Sequence, residues 1–291
     1  MPLMRSLVKE ARPRQWMKNA LVFAAPAALG VLDDPGPLGQ AAALFVAFCA
    51  AASGVYYWND IRDVEQDRRH PTKKLRPIAS GAVPLTLARV IGTILLVSGV
   101  GVSYAVRLEA GYVMTLYVVL QALYSGALKH VALLDLAIVS SGFVLRAMIG
   151  AVGTDTPMSN WFVLCITFGS FFIVTGKRYA ELSELGDEAL LTRVAMKGYT
   201  VQYLNQVMLV SLTATVVTYC MWALENADAS AGMLPLHGIT IVPMVLALLR
   251  YLMLLEKGQG GAPEDVFLSD RVIQAYGASW VVLYGLAVYS S

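Results

Sequence analysis

Charge-poor apolar stretches, each about 17 to 25 residues long, recur along this chain from Met17 to Tyr289. Because an α-helix rises about 1.5 Å per residue, each stretch is long enough to cross the roughly 30 Å apolar core of a bilayer. With 57% hydrophobic and 14% charged residues, and a mean hydropathy of +0.60, the 291-residue chain is too apolar for a soluble domain. These features predict an all-α, multi-pass integral membrane protein forming a single domain over residues 1–291.

Nine stretches meet this description, so we predict nine transmembrane helices. The predicted spans are 17–33, 38–58, 83–106, 110–128, 131–151, 160–176, 203–224, 236–255 and 271–289. An odd number of spans places the two termini on opposite sides of the membrane. With the N-terminus inside, all of the 22 Lys and Arg residues except Arg107 and Arg146 lie on the cytoplasmic face. The positive-inside rule therefore predicts a cytoplasmic N-terminus and an external C-terminus.

Acidic side chains are concentrated at the end of the second predicted span, from Asn59 to Asp67. At about 100° per helical residue, Asp60, Asp63 and Asp67 fall within about 60° of one another, so they share one face if the helix continues this far. Carboxylates this close repel one another unless a hard cation such as Mg²⁺ neutralises them, and Mg²⁺ readily holds a phosphorylated substrate. We predict a Mg²⁺ site here, with Asn59 as a neutral ligand or orienting amide; a solvated helix end is the alternative.

Basic residues follow the carboxylates in the same connection, at Lys73, Lys74 and Arg76. Their charges suit a polyphosphate ligand, although the positive-inside rule alone would also place them on this face. Further candidate ligands for anionic groups lie at the ends of other spans or within one: Lys18, Lys129, Arg146 and Lys177.

Two other patterns of ionisable residues are candidates for function. After the sixth predicted span, Lys177, Glu181 and Glu184 share one helical face, which fits either a catalytic cluster or a solvated helix with ordinary ion pairs. In the fifth span, the directions of Asp135 and Arg146 around the helix axis differ by only about 20°, so the two residues share one face. Ionisable groups on a spanning helix usually face an internal cavity, which predicts a functional role for this pair.

The pattern Asn59-Asp60-x-x-Asp63-x-x-x-Asp67 after the second of nine predicted spans resembles the first aspartate-rich motif of the UbiA superfamily of intramembrane prenyltransferases. The resemblance covers nearly the whole chain. It implies nine transmembrane helices around a central, lipid-accessible cavity, polar loops on the cytoplasmic side, and Mg²⁺ as the cofactor.

Members of this family commonly carry a second aspartate-rich motif after the sixth helix, where this chain reads Lys177-Arg178-Tyr179-Ala180-Glu181-Leu182. That segment resembles a branch of the family in which phosphoribosyl diphosphate is the donor and a polyprenyl (decaprenyl) phosphate is the acceptor. Two further patterns add to this resemblance, Arg12-Pro13-x-Gln15-Trp16-x-Lys18-Asn19 and Leu128-Lys129-His130 with Asp135 and Leu145-Arg146.

The resemblance implies transfer of a 5-phosphoribosyl group with release of pyrophosphate, in the synthesis of cell-wall arabinan (arabinogalactan) precursors. The implied location is the inner membrane of a bacterium, with the active site facing the cytoplasm. The expected catalytic and metal-binding residues are Asp60, Asp63 and Asp67. The expected substrate-binding residues are Lys18, Asn59, Lys73, Lys74, Arg76, Lys129, Asp135, Arg146, Lys177, Arg178, Tyr179 and Glu181.

Two other functions stay open on the sequence. The chain fits a conventional prenyltransferase with an aromatic acceptor if Glu181 and Glu184 replace the missing aspartates. It also fits a transporter of anionic metabolites, although the ionisable residues gather on one face and no inverted repeat is visible. We expect no nucleic-acid partner, and a homo-oligomer in the lipid bilayer is a further expectation.

Overall fold

A computed structural model describes residues 3–126, 128–185, 196, 198–229 and 235–289. Within these ranges the regular structure is entirely helical. The α-helices are α1 (Leu3–Ala11), α2 (Ala24–Ala28), α3 (Pro35–Arg62), α4 (Val64–Arg69), α5 (Leu85–Val106), α6 (Leu108–Gly126), α7 (Leu134–Gly153), α8 (Asn160–Leu185), α9 (Val201–Ala229), α10 (Leu236–Ile239), α11 (Ile241–Glu256), α12 (Pro263–Ser269) and α13 (Arg271–Tyr289). The 3₁₀ segments are Pro13–Phe23, Val31–Asp33, Lys73–Leu75 and Leu128–His130.

Seven helical stretches in the described part of the chain are long and apolar enough to cross a membrane. They correspond to seven of the nine predicted spans, so the multi-pass prediction is supported, while the count of nine stays a prediction. The first predicted span, 17–33, is divided between a 3₁₀ segment and the short helix α2. Pro26 lacks a backbone N–H and Gly30 has a φ of 69°, so neither favours a continuous α-helix. The fourth span forms helix α6, whose apolar character is reduced by Glu109 and Gln121.

The chain divides into two compact units. Unit 1 contains residues 1–27, 31–126 and 145–157, and unit 2 contains residues 28–30, 127–144 and 158–291. In unit 1, α3 packs along α5, and a buried apolar cluster that includes Leu44, Phe48 and Ile149 joins α3 to the second half of α7. In unit 2, α8 packs along α9, and Phe172, Met208 and Leu254 belong to its buried core.

The helix that carries the acidic motif is interrupted within the motif. We expected a continuous helix through Asp67, but α3 ends at Arg62 and α4 begins at Val64. Between them, Asp63 has φ −91° and ψ 9°, outside the helical region. The expectation of one unbroken helix through Asp67 was therefore wrong.

Helix α7 approaches the 3₁₀ segment Pro13–Phe23 so closely that Gly150 has no room for a side chain. A Cβ at Gly150 would lie 1.7 Å from the backbone oxygen of Val22, within unit 1. Because the obstructing atom belongs to the main chain, the two segments would have to separate. We expect Gly150→Ala to lower the free energy of unfolding by about 3 kcal/mol, measured by thermal unfolding in detergent.

Gly101 in α5 provides the matched control for this prediction. A Cβ at Gly101 would meet no atom within 4 Å, so Gly101→Ala should leave stability unchanged or raise it by up to about 1 kcal/mol. Equal stability of the two variants would contradict the backbone contact.

Candidate active site

Two aspartates of the acidic motif meet in unit 1 around the guanidinium of Arg76. Its Nη1 atom donates to Asp60 Oδ1 at 3.0 Å and to Asp67 Oδ2 at 2.7 Å. Both carboxylates are buried, with 4% of Asp60 and 2% of Asp67 exposed. Asp60 also accepts from Arg12 Nη2 through both of its oxygens, at 2.8 and 2.7 Å. Four charged side chains thus form one continuous network, in which each carboxylate accepts charge-assisted hydrogen bonds.

Arg12 reaches this network from an unusual backbone conformation. It joins α1 to the 3₁₀ segment with φ 53° and ψ 59°, although a residue before proline normally has an extended backbone. Such conformations cost of order 1–3 kcal/mol and persist where the surroundings fix them. Here the Asp60 carboxylate binds the guanidinium, which also lies 4.6 Å from the centroid of the Tyr56 ring. Burial is the largest single effect and lowers the pKa of Arg12, but Asp60, Tyr56 and Glu10 together raise it above its usual value.

Glu10, two residues before Arg12, is buried beside the same network. Only 1% of it is exposed, and while Asp60 is also ionised neither oxygen of Glu10 has a hydrogen-bond donor. Burial, and secondarily the neighbouring Asp60 carboxyl group, raise the pKa of Glu10 to about 8. A hydrogen bond between these two carboxyl groups requires that one of them be protonated. When both are ionised, Arg12 and Arg76 offset the charge of Glu10 only in part, so its pKa stays raised.

The position between Asp60 and Asp67 is suited to a cation. In the described residues, no three acidic, histidine or cysteine side chains are arranged to hold a metal ion as they stand. One nitrogen atom of Arg76 donates to both carboxylates, so its positive charge occupies the position between them. Carboxylate oxygens are the ligands that Mg²⁺ prefers, so the two aspartates fit this ion if the guanidinium moves aside.

Four other predicted residues, Asn59, Asp63, Lys73 and Lys74, lie close to this network in the sequence, and Lys18 lies in the 3₁₀ segment Pro13–Phe23. Asn59 Oδ1 accepts a hydrogen bond from the Ser125 hydroxyl, which fixes its amide group. Asp63 is half-buried at the break between α3 and α4. Lys73 is half-buried and Lys74 exposed on the connection before α5. Lys18 donates to Gln15 Oε1 at 2.5 Å.

Arg146 belongs to a different cluster of unit 1. Its Nε atom donates to Asn19 Oδ1 at 2.7 Å, and its guanidinium lies 4.7 Å from the centroid of the Phe48 ring and 5.2 Å from that of Tyr117. Asn19 in turn donates to the Cys49 sulfur at 3.1 Å. These contacts hold the cation within the helix packing. Its predicted role in phosphate binding stays a prediction.

Unit 2 contains the other predicted acidic and basic residues. Asp135 and Arg178 form a buried bidentate ion pair, with Nε–Oδ2 and Nη2–Oδ1 distances of 2.8 and 3.2 Å. Arg178 Nη1 also donates to Glu181 at 3.1 Å. Lys129, Lys177 and Tyr179 are all half-buried in this unit. Most of the connection after α8, residues 186–195 and Lys197, lies outside the described residues.

Sequence reasoning missed Glu10, Arg12 and Tyr56 as neighbours of the acidic motif. Arg12 and Asp60 are 48 positions apart, and helical periodicity relates only residues within a few turns. One signal was available: Arg12 precedes Pro13 at the entrance to an apolar stretch, where a fixed backbone is expected. Nothing local distinguishes Glu10 from an exposed residue of an amphipathic helix.

Comparison with known proteins identifies the family. The profile of the UbiA prenyltransferase family matches residues 20–269. The chain belongs to this family. The match includes the acidic motif and Arg76, whereas Glu10 and Arg12 precede it.

Curated relatives of this UbiA family member align along nearly the whole chain. A decaprenyl-phosphate phosphoribosyltransferase of Mycolicibacterium smegmatis is 41% identical over 300 residues, covering 99% of this chain and 94% of the relative. A protein of the same name from Corynebacterium glutamicum is 40% identical over 287 residues, covering 97% of this chain and 86% of the relative.

Solved structures share the UbiA fold at low sequence identity. A UbiA homologue from Archaeoglobus fulgidus, bound to GPP and Mg²⁺, superposes with a TM-score of 0.71 at 16% identity, covering 98% of this chain and all of that one. An apo UbiA homologue from Aeropyrum pernix K1 gives a TM-score of 0.67 at 16% identity, covering 91% of this chain and 96% of that one. These likenesses support the predicted all-α UbiA-type fold.

Proposed function

We propose that this protein transfers a 5-phosphoribosyl group from phosphoribosyl diphosphate to a polyprenyl phosphate, with release of pyrophosphate. The observation that carries the proposal is the 40–41% identity to decaprenyl-phosphate phosphoribosyltransferases over almost the full length of both chains. The charged network of unit 1 supports it, because it combines carboxylates for a metal ion with guanidinium groups for phosphates.

The donor diphosphate is expected to bind at the network of Asp60, Asp67, Arg12 and Arg76. Mg²⁺ held by Asp60 and Asp67 would neutralise charge on the diphosphate leaving group. Once the carboxylates have another cation, the guanidinium groups of Arg12 and Arg76 are available to the phosphate oxygens. Arginine is suited to this role, because its planar donors match phosphate geometry.

The reaction exchanges one C–O bond for another at C1 of the ribose. The bond to the diphosphate breaks and its electron pair leaves with pyrophosphate, while an oxygen of the polyprenyl phosphate forms the new bond to C1 from the opposite face. A phosphate monoester is largely ionised near pH 7, so the nucleophile needs no strong general base. The protein contributes position and electrostatic stabilisation of the leaving group.

A conventional prenyltransferase is the second candidate. It would need Glu181 and Glu184 to take the place of a second aspartate-rich motif. In unit 2 the Glu181 carboxylate accepts from Arg178 at 3.1 Å, and Arg178 is itself bound to the buried Asp135. A metal ion at Glu181 would have to displace this contact, as Mg²⁺ at Asp60 and Asp67 would have to displace Arg76, so the identity to phosphoribosyltransferases favours the first candidate.

The membrane setting belongs to the same proposal. The seven long apolar helices support a multi-pass protein, and the distribution of Lys and Arg supports a cytoplasmic active site in the bacterial inner membrane. A polyprenyl phosphate would enter from the bilayer and the anionic donor from the cytoplasm. The lipid product would serve cell-wall arabinan synthesis, and the protein would act there as a homo-oligomer.

Product analysis tests this proposal. Detergent-purified protein is incubated with Mg²⁺, decaprenyl phosphate and phosphoribosyl diphosphate labelled in the ribose. We expect the label to move into an organic-extractable lipid that carries one phosphoribosyl group. Absence of a labelled lipid, together with uptake of labelled donor into protein-containing vesicles, would contradict the transferase and favour transport.

A further inference from the structure

We propose that helix α1 is a binding site for anionic phospholipids, with Met4 and Val8 against the acyl chains and Arg5 and Lys9 on the headgroup phosphates. The inference rests on the membrane setting of the chain and not on phosphoribosyl transfer, so the two can fail separately. The observation behind it is that α1 exposes an apolar strip and a basic strip side by side, next to the ends of two long apolar helices.

The apolar and polar residues of α1 are arranged in a way that water does not favour. Met4 and Val8 are 72% and 56% exposed, whereas Ser6 and Glu10 are buried against the protein. This arrangement is unfavourable in water, because it leaves apolar surface hydrated. It is expected of a helix that lies in the membrane interface with its apolar face toward lipid.

A basic strip borders the apolar one. Arg5 and Lys9 are both exposed, and each follows a residue of the apolar strip by one position. Residues four apart on a helix differ in direction by about 40° and neighbours by about 100°, so each pair forms a strip and the two strips are adjacent. When the apolar strip enters the acyl region, the basic side chains lie among the headgroups. Their charge favours anionic lipids over zwitterionic ones.

The inner side of α1 packs at the ends of two long apolar helices. Leu7 and Ala11 pack against a buried cluster that includes Tyr57 and Ile61, in the last turns of α3, and Ala88, in the first turn of α5. Both helices are long and apolar enough to cross a membrane, so their ends lie near its surface. Helix α1 is therefore at the level of the headgroups.

The exposed surface of α5 becomes apolar close to this level. Val90 and Ile94, in the second and third turns of α5, are 51% and 60% exposed. Exposed apolar side chains on a helix of membrane length face the acyl chains of lipids. The bilayer that covers α5 thus begins near the position where α1 presents Met4 and Val8.

Two hydrogen bonds fix the direction in which the strips of α1 point. The Tyr57 hydroxyl donates to the backbone oxygen of Leu7 at 2.8 Å, and the Ser53 hydroxyl donates to that of Ala11 at 2.9 Å. Because both donors belong to α3, the inner side of α1 is held against this helix. The apolar strip cannot turn onto the protein without breaking these bonds, and lipid is the partner that covers it.

Fluorescence quenching by labelled lipids tests the inference in the full-length protein. A fluorophore is attached at Val8→Cys, with Cys165 and Cys220 replaced by alanine and the buried Cys49 kept. The protein is reconstituted into phosphatidylcholine vesicles that contain either phosphatidylglycerol or phosphatidylcholine with a nitroxide on one acyl chain. We expect both lipids to quench, with half-maximal quenching at a mole fraction about tenfold lower for phosphatidylglycerol at low salt. Met4→Cys provides a second labelling position if Val8→Cys does not fold.

Two double variants separate a local site from the overall charge of the protein. Arg5→Gln with Lys9→Gln should make the two lipids equal quenchers, while quenching itself persists because the apolar strip is intact. Lys257→Gln with Arg271→Gln is the matched control, since both residues are exposed and the loss of charge is the same. The control should keep the preference of the wild type.

Four results would overturn the inference. Absence of quenching by either lipid would place α1 outside the bilayer. Equal quenching by both lipids in the wild type would remove the anionic-lipid site, and so would an equal loss of preference in the two double variants. Loss of the preference on addition of inorganic pyrophosphate at constant ionic strength would assign Arg5 and Lys9 to a soluble anion. None of these results would contradict phosphoribosyl transfer, which product analysis tests separately.

Discussion

Replacing Asp60 by asparagine should lower turnover by about 10³-fold while the protein still folds. Asp60 accepts hydrogen bonds from both Arg12 and Arg76, and it is one of the two carboxylates between which a cation fits. The amide keeps the shape of the side chain but removes the charge that would bind Mg²⁺ and organise the leaving group. Turnover is measured as pyrophosphate release at saturating donor and lipid.

The Asp60→Asn protein should still fold, because the side chains of Arg12 and Arg76 retain access to water. Their side chains are 30% and 31% exposed, so loss of the Asp60 charge does not leave them enclosed. We expect a loss of about 1–2 kcal/mol in unfolding free energy. Asp33→Asn, at an exposed position of the connection before α3, is the control and should retain full activity. Near-normal turnover of Asp60→Asn would remove this residue from the site.

Replacing Asp135 by alanine should destabilise the protein by about 3–5 kcal/mol, because it leaves the buried Arg178 without its carboxylate. None of Asp135 and only 3% of Arg178 is exposed. Thermal unfolding in detergent measures the loss. The double variant Asp135→Leu with Arg178→Met should recover most of it, since apolar residues of similar size remove both charges at once.

Glu181→Gln is the matched control for the buried pair. Glu181 contacts the same Arg178 at 3.1 Å but its side chain is 26% exposed, so we expect a loss below about 1 kcal/mol in unfolding free energy.

The Asp135→Ala experiment also tests the predicted substrate-binding role of Asp135. A stable Asp135→Ala protein without activity would show that Asp135 contacts substrate and would contradict a structural ion pair.

Most of the helical architecture was predictable because its signal is local. An apolar stretch of membrane length specifies a helix almost regardless of context, and seven predicted spans have long apolar helices as counterparts. The broken first span had visible warnings in Pro26 and Gly30. The break at Asp63 had none, because neither proline nor glycine occurs between Asn59 and Asp67.

The candidate site was only partly predictable, because some of its contacts join residues that are distant in the sequence. The proximity of acidic and basic residues in one connection indicated that Asp60, Asp67 and Arg76 belong together, and the structure places them in contact. Their roles stay predictions. Arg12 and Glu10 reach the network from another element about 50 residues away, and no spacing rule relates them to Asp60. Conversely, Asp135 and Arg146 share a helix face, but Asp135 contacts Arg178 and Arg146 contacts Asn19. The period of a helix gives the direction of a side chain and not the residue that packs against it.

The most direct test of the central claim is pyrophosphate release in two parallel mixtures containing the same purified protein and Mg²⁺. One holds phosphoribosyl diphosphate with decaprenyl phosphate, and the other holds a prenyl diphosphate with 4-hydroxybenzoate. We predict lipid-dependent release in the first mixture alone. Release in the second alone would contradict the phosphoribosyl donor and make the chain a conventional prenyltransferase.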